Sequence, residues 1–217
     1  MSSAIFICST TNWSNSLVDC WFHSFLRSFH LVIMSSDRQY PNIIICGTPG
    51  VGKTRLCQEI CSQNPALKYV NLNELVKQNH FIIEFDNENQ CDIVDDDALN
   101  DYLENTYFLQ SYSSGLVIDY HSSGIVPDNN QIHGVFVLRC DDKTLHDRLK
   151  NANKLCEKKI EQYIQSEAFQ VCLNEAREAF DESMVYELRN QTNEDLKKNL
   201  DYLSKWIDRW PFYETID

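Results

Sequence analysis

The chain has 217 residues, 43% hydrophobic and 24% charged, with 6 Gly and 5 Pro, a composition that excludes collagen-like, low-complexity and wholly disordered proteins. A chain of this length buries roughly 70% of its unfolded surface in one domain and has too little sequence for two comfortable cores. With 19 basic against 32 acidic residues the formal net charge is −13, which repels phosphate backbones and anionic membranes, so neither free nucleic acid nor a membrane is an expected direct partner.

The first 33 residues are rich in Ser, Phe and Trp, and their only charges besides His are Asp19 and Arg27. They lack a basic start ahead of an apolar core, which argues against a secretory signal, and a single Arg gives a mitochondrial presequence little cationic face. They read as an unmatched, disordered extension or as residues ahead of a natural start at Met34, which the polar run Ser35-Ser36-Asp37-Arg38-Gln39 follows. No stretch approaches the roughly 18 consecutive apolar residues of a membrane span. The nine cysteines are odd in number and scattered, with no CxxC pair, and point to a reduced, intracellular protein.

From Pro41 onward short apolar runs alternate with amphipathic stretches, as in a parallel sheet wrapped by helices. Residues 42–46 form a near-continuous β-branched run and predict a buried strand. A helix is expected over 55–63, with Leu56 and Ile60 four apart, then a strand at 67–70 and a short helix at 73–78. Residues 84–97 carry seven acidic residues and no basic one and read as a loop, solvated or docking a basic partner, whose end, Asp95, caps a helix carrying Leu99, Tyr102 and Leu103. Strands follow at 116–118 and 135–138, each running into polar residues at the rim where ligands bind in such sheets. Ile160, Tyr163, Ile164, Val171 and Phe180 roughly follow one helical face, 184–188 suits a last strand, and Thr192 with Asp195 makes a capping-box pattern ahead of Leu196, Leu200, Leu203 and Ile207. Trp206 and Trp210 suit core or helix-face anchors. No repeat or linker divides residues 41–210.

Gly47-Thr48-Pro49-Gly50-Val51-Gly52-Lys53-Thr54 matches G-x-x-x-x-G-K-[ST] in full, between an expected strand and an expected helix, where backbone N–H groups and a helix N-terminus can surround a triphosphate. ATP binding is assigned to Gly50, Gly52, Lys53, Thr54 and Arg55, with Lys53 on the β- and γ-phosphates and the Thr54 hydroxyl on Mg²⁺. Asp119 ends an apolar strand, where such an Asp holds Mg²⁺ directly or through a water, and His121 points to the same side of an extended chain. Lys53, Asp119 and His121 are the catalytic candidates. Asn153-Lys154-Leu155-Cys156 begins like the guanine-reading N-K-x-D, but Cys156 stands in the acid's place and disfavours a GTPase.

With Leu67-Lys68-Tyr69-Val70-Asn71, Asp119-Tyr120-His121, Val135-Phe136-Val137-Leu138-Arg139, Glu157-Lys158-Lys159, Ile164-Gln165-Ser166-Glu167 ahead of Phe169-Gln170-Val171, and Lys205-Trp206-Ile207, residues 41–210 resemble the adenylate kinase isoenzyme 6 family, nuclear nucleoside monophosphate kinases and ATPases tied to small ribosomal subunit (18S rRNA) maturation. The resemblance implies a P-loop NTPase of the nucleoside monophosphate kinase kind, with a five-stranded parallel sheet flanked by helices. It implies a monophosphate-binding segment at 71–94 with Asn71, Lys77 and Val94, and a lid at 151–162 with Ala152, Asn153 and Lys154. It also implies ATP as donor, AMP as acceptor with dAMP or CMP as further candidates, Mg²⁺, a basic small-subunit ribosomal protein and the pre-ribosomal particle as partners, a monomer, and residence in nucleus and cytoplasm. Lys77 and Ala152-Asn153-Lys154 stand where the family carries arginines, whose fork pairs two phosphate oxygens at once, so ATP binding and hydrolysis are better supported than transfer to AMP. The alternative is a nucleotide-gated assembly ATPase with little kinase activity.

Overall fold

The structure, a computed structural model, describes residues 40–88, 91–109, 114–126, 131–152 and 155–210; the expected extension at 1–33 lies outside them. In chain order the elements are β1 (Ile43–Cys46), α1 (Lys53–Gln63), β2 (Lys68–Asn71), α2 (Leu72–Gln78), β3 (Ile82–Asp86), β4 (Cys91–Val94), α3 (Asp96–Leu103), β5 (Leu116–Asp119), β6 (Gly134–Arg139), α4 (Asp142–Ala152), α5 (Glu157–Ala168), α6 (Val171–Ala179), β7 (Val185–Arg189) and α7 (Asn193–Arg209). Five strands form a sheet of order β2-β5-β1-β6-β7, parallel at every pairing. This is the expected α/β fold.

Central β1 explains the continuous apolar run at its sequence. Ile44 and Cys46 enter one core with Leu72, Leu99 and Leu173, while Ile43 and Ile45 enter the other with Leu56, Leu145 and Leu203. Both faces are covered, so the strand needs apolar residues at every position instead of alternating ones. Asn42, fully buried just ahead of it, accepts from the Leu116 N–H at 3.0 Å and donates to the Gln131 carbonyl at 3.1 Å, tying β1 to the entrances of both neighbours. Trp206 is buried against Phe136, and Trp210 meets His133 edge to face. The seven cysteines among the described residues are free thiols.

Two expectations are corrected. Residues 84–97 are not a loop: β3 and β4 pair antiparallel, and Asp96 already belongs to α3. Ile82 and Val94 pair with each other and pack on the core, so the backbone is satisfied by the ladder while the carboxylates stay in water. The helical face spanning 160–180 is two helices, because Gln170 adopts φ 58° between α5 and α6. Within the expected lid at 151–162, residues 151–152 end α4 and residues 157–162 begin α5. Asp95 caps α3 by accepting from the Ala98 N–H at 3.0 Å, as its position predicts.

Candidate functional site

The phosphate loop runs from the C-terminal end of β1 straight into α1, which starts at Lys53. Gly47 and Gly52 have φ of 135° and 104°, and a Cβ on Gly52 would lie 2.6 Å from Asn190 Nδ2, so neither position tolerates a larger residue. Asn190 in turn donates to the Val51 carbonyl at 2.7 Å and props the loop from beneath. Unlike α2, α3 and α7, which are capped by Asn71, Asp95 and Thr192, α1 has no side-chain cap and no acidic residue in its first turn, leaving its N–H groups and positive end to an anion. Lys53 is buried and turned back on the loop, donating to the Gly47 and Thr48 carbonyls at 2.7 and 3.1 Å. Burial pulls its pKa down, and the charge of Asp119 opposes that pull.

Asp119, 1% exposed at the end of β5, gathers three donors on one oxygen. Its Oδ2 accepts from the Thr54 hydroxyl at 2.7 Å, the Tyr69 hydroxyl at 2.9 Å and Asn71 Nδ2 at 3.4 Å. Its Oδ1 is buried with no hydrogen-bond partner among the described residues. A buried carboxylate oxygen left open beside a threonine hydroxyl suits a hard divalent cation. No cluster of three or more His, Cys, Asp or Glu able to hold a metal by itself occurs among the described residues, so such a cation would lean on substrate oxygens. His121 follows two residues on, its carbonyl accepting from the Gly47 N–H at 3.3 Å. Crowding by protein and then the Lys53 charge push its imidazole down to about 4. The ring is exposed at the rim, so water moderates the shift, and both effects leave it neutral at pH 7.

Beside the loop lies a cleft of about 820 Å³ lined by Gly50, Arg55, Arg148, Tyr163, Asn190 and Thr192, among others, within the usual size range of small-molecule sites. Arg148 spans its floor, donating to the Val51 carbonyl at 3.1 Å and the Gln191 carbonyl at 2.8 Å. One end is therefore a phosphate cradle and the other a partly apolar chamber.

The family model described as an AAA domain matches residues 43–170, from β1 to the α5–α6 junction. Over 176 residues the chain is 36% identical to the Adenylate kinase isoenzyme 6 homolog of Schizosaccharomyces pombe, covering 81% of this chain and 97% of that protein. The chain belongs to the adenylate kinase isoenzyme 6 family. The Drosophila melanogaster member is 35% identical, with 78% of this chain and 93% of that protein covered. The Saccharomyces cerevisiae member, FAP7, is 33% identical, with 82% and 87% covered. Among solved structures, shikimate kinase from Bacteroides thetaiotaomicron superposes with a TM-score of 0.54 at 14% identity over 78% of this chain and 99% of that one, a likeness of fold.

In this adenylate kinase isoenzyme 6 family chain, the structure brings Lys53, Thr54, Asn71, Asp119 and His121 to one rim of the sheet. Gly50, Gly52 and Arg55 border the cleft, as does Ala152 at the end of α4; Arg55 is exposed and bonded to Glu59 and Asn193. Asn71 also caps α2 through the Glu74 N–H. Lys77 is exposed in the last turn of α2 and Val94 ends β4 half-buried; no hydrogen bond ties either to the Asp119 cluster. Asn153 and Lys154 lie outside the described residues. Sequence reasoning gave no site role to Tyr69, Arg148, Glu167 or Asn190. Tyr69 had a signal, since it shares a strand face with Asn71; Glu167 lay in a segment that carries the family resemblance but with no role attached, and Arg148 and Asn190 sit far from the motif in sequence and had none.

Proposed function

We propose that the protein is an ATP-dependent nucleoside monophosphate kinase with intrinsic ATPase activity, using AMP, dAMP or CMP as acceptor, and that it serves small ribosomal subunit (18S rRNA) maturation as a monomer of the nucleus and cytoplasm. The observation that carries the catalytic half is the Asp119 centre: a buried carboxylate with one open oxygen, the Thr54 hydroxyl on the other, and the Lys53 loop alongside. Family membership supports a kinase of this class.

The nucleoside of ATP enters the cleft between Tyr163, Arg148 and the Asn190–Thr192 turn. The triphosphate takes the loop N–H groups and the uncapped start of α1, and Lys53 moves from the Gly47 and Thr48 carbonyls to the β- and γ-phosphates, whose charge restores the proton affinity that burial weakens. Thr54 and Asp119 would hold Mg²⁺, which when bound neutralises charge developing on the β- and γ-oxygens. Tyr69 and Asn71 fix the Asp119 carboxylate so that Oδ1 stays open. Neutral His121 offers a ring nitrogen to orient the attacking hydroxyl or water, a positioning role whose effect falls mainly on turnover. With Lys77 in place of a family arginine, the clamp on a monophosphate is a point charge instead of a fork, so hydrolysis competes with transfer.

The second reading, a nucleotide-gated assembly ATPase with little kinase activity, is favoured by the hairpin. Ile83, Phe85 and Ile93 are 65%, 49% and 37% exposed among Glu84, Asp86 and Asp92, a surface suited to a basic protein with apolar anchors. One assay separates the two: ADP yield with and without each monophosphate. ADP formation that requires AMP, with ADP made in pairs, supports the kinase; equal ADP without any monophosphate rejects it in favour of the ATPase.

A further inference from the structure

A second carboxylate stands behind the phosphate loop, and the Asp119 centre does not use it. Glu167, in the last turn of α5, is 2% exposed, and its oxygens are held from three sides. Oε1 accepts from Arg139 Nε at 2.5 Å and from the Cys140 N–H at 3.2 Å, while Oε2 accepts from the Thr48 hydroxyl at 2.5 Å. Its main-chain carbonyl accepts from Arg139 Nη2 at 3.0 Å. Thr48 is a loop residue whose own carbonyl receives Lys53. An unbroken chain therefore runs from the end of α5 through Glu167 and Thr48 to the lysine that faces the phosphates.

The location is electrostatically perverse unless it serves the loop. A buried carboxylate costs several kcal/mol of desolvation unless paired and hydrogen-bonded, and this one lies one side chain away from a site that receives a polyanion. Arg139 neutralises it, so it repels phosphate weakly, but the Arg139 pair alone would pin α5 to β6 without any bond to Thr48. The Thr48 contact is the one that reaches the loop. It also removes the Thr48 hydroxyl from competition for phosphate and leaves the loop N–H groups to set the geometry. The same α5 supplies Tyr163 to the cleft, so one helix touches both the nucleoside chamber and the phosphate loop.

We propose that Glu167 is a positioning residue that holds the phosphate loop in its binding shape through the Thr48 hydroxyl and couples the loop to α5. The inference rests on the nucleotide-binding part of the proposed function. It is tested by calorimetric titration of Mg·ATP into the full chain carrying Thr48→Val, Thr48→Ser, Glu167→Gln, or Thr48→Val with Glu167→Gln. Valine keeps the shape of threonine and removes only the hydroxyl, and should weaken Mg·ATP about tenfold, as for a hydrogen bond to a charged group, in a chain that still folds but melts several degrees lower because Glu167 Oε2 loses its donor. Serine restores the hydroxyl and should recover affinity to within about twofold of the parent. Since Glu167 acts through Thr48, the double variant should bind about as weakly as Thr48→Val alone. Parent affinity in Thr48→Val, a serine variant as weak as valine, or losses that add in the double variant would each overturn the proposal. Should Glu167→Gln fail to fold because Arg139 loses its partner, the valine–serine pair decides alone. The titration contains no monophosphate and does not depend on transfer, so absent transfer to AMP would sink the kinase and spare this inference, whereas a parent that does not bind Mg·ATP would sink both.

Discussion

Two side chains around the phosphate loop are expected to separate binding from turnover. Lys53→Ala removes a buried charge whose partners are loop carbonyls, so Mg·ATP-dependent turnover should fall by on the order of 100-fold or more while the chain still folds; a variant that melts like the parent and turns over at the parent rate would contradict the role. Asp119→Asn is sharper. The amide oxygen can keep the Thr54, Tyr69 and Asn71 donors, while its NH₂ replaces the open Oδ1 and repels a cation. Affinity for ATP without metal should change less than twofold, and Mg²⁺-stimulated turnover should collapse, as titration beside steady-state rates would reveal. His121 and His133 supply a pH signature. Burial lowers both pKa values, and the Asn42 N–H points at His133 Nδ1 from 3.0 Å, which needs that nitrogen unprotonated. The unfolded chain therefore binds more protons below about 6.5, so these groups leave stability intact above that pH and erode it as pH falls toward 4. Melting curves from pH 7.5 to 4.5 should slope downward, less steeply in His121→Asn, and a turnover limb near 6.5 that vanishes in that variant would refute the lowered pKa of His121. Lys53, Thr54, Asp119 and His121 were legible because their chemistry is written in short local patterns. Glu167 was not: it lies 119 residues from Thr48, and only the packed fold makes an ordinary helical glutamate into a buried ligand of the loop.

Secondary structure was legible where a local rule dominates. The α7 start is an example: the Asp195 N–H donates to Thr192 Oγ1 at 3.1 Å, and Asp195 Oδ2 accepts from the Thr192 and Gln191 N–H groups at 3.0 Å each. Thr192→Ala should cost about 1 kcal/mol, and because Thr192 also lines the cleft it should raise the KM for ATP; denaturant unfolding paired with kinetics would show both, and a loss of stability with an unmoved KM would detach the turn from the nucleotide. The hairpin was illegible for the opposite reason. A register irregularity between Ile82 and Glu84 breaks the period-two pattern, and carboxylates on a solvated ladder look in sequence like a charged loop. The α5–α6 break was hidden too, since left-handed Gln170 has no glycine to announce it.

Across the molecule, the charge of −13 sets long-range behaviour, and the fold says which acids are available to a partner. Asp95 is occupied as the cap of α3, while Asp96 and Asp97 in its first turn stand exposed, as do Glu84 and Asp92 on the hairpin beside Phe85 and Ile93. Glu84→Gln with Asp92→Asn should therefore slow association with the proposed basic small-subunit protein, and added salt should weaken it in the parent, since exposed charges are screened within about 8 Å at physiological ionic strength. Association rates across a salt series test this; rates indifferent to both salt and substitution would remove the hairpin from the encounter. The α/β class and the five main strands were legible because burial on both faces forces continuous apolar runs. Strand order carries no local mark.

The central place of β1 has a consequence for synthesis on the ribosome. The earliest strand of the sheet sits between two partners made much later: its entrance residue Asn42 bonds Leu116, 74 residues on, and His133, 91 residues on. At about 5–20 residues per second, the Ile43–Ile45 run waits on the order of 4–15 s for the first neighbour and 5–18 s for the second. During that interval a flat, wholly apolar strand has two open edges, the state most prone to pair with another chain. The nascent chain is thus most in need of shielding between completion of β1 and emergence of β6.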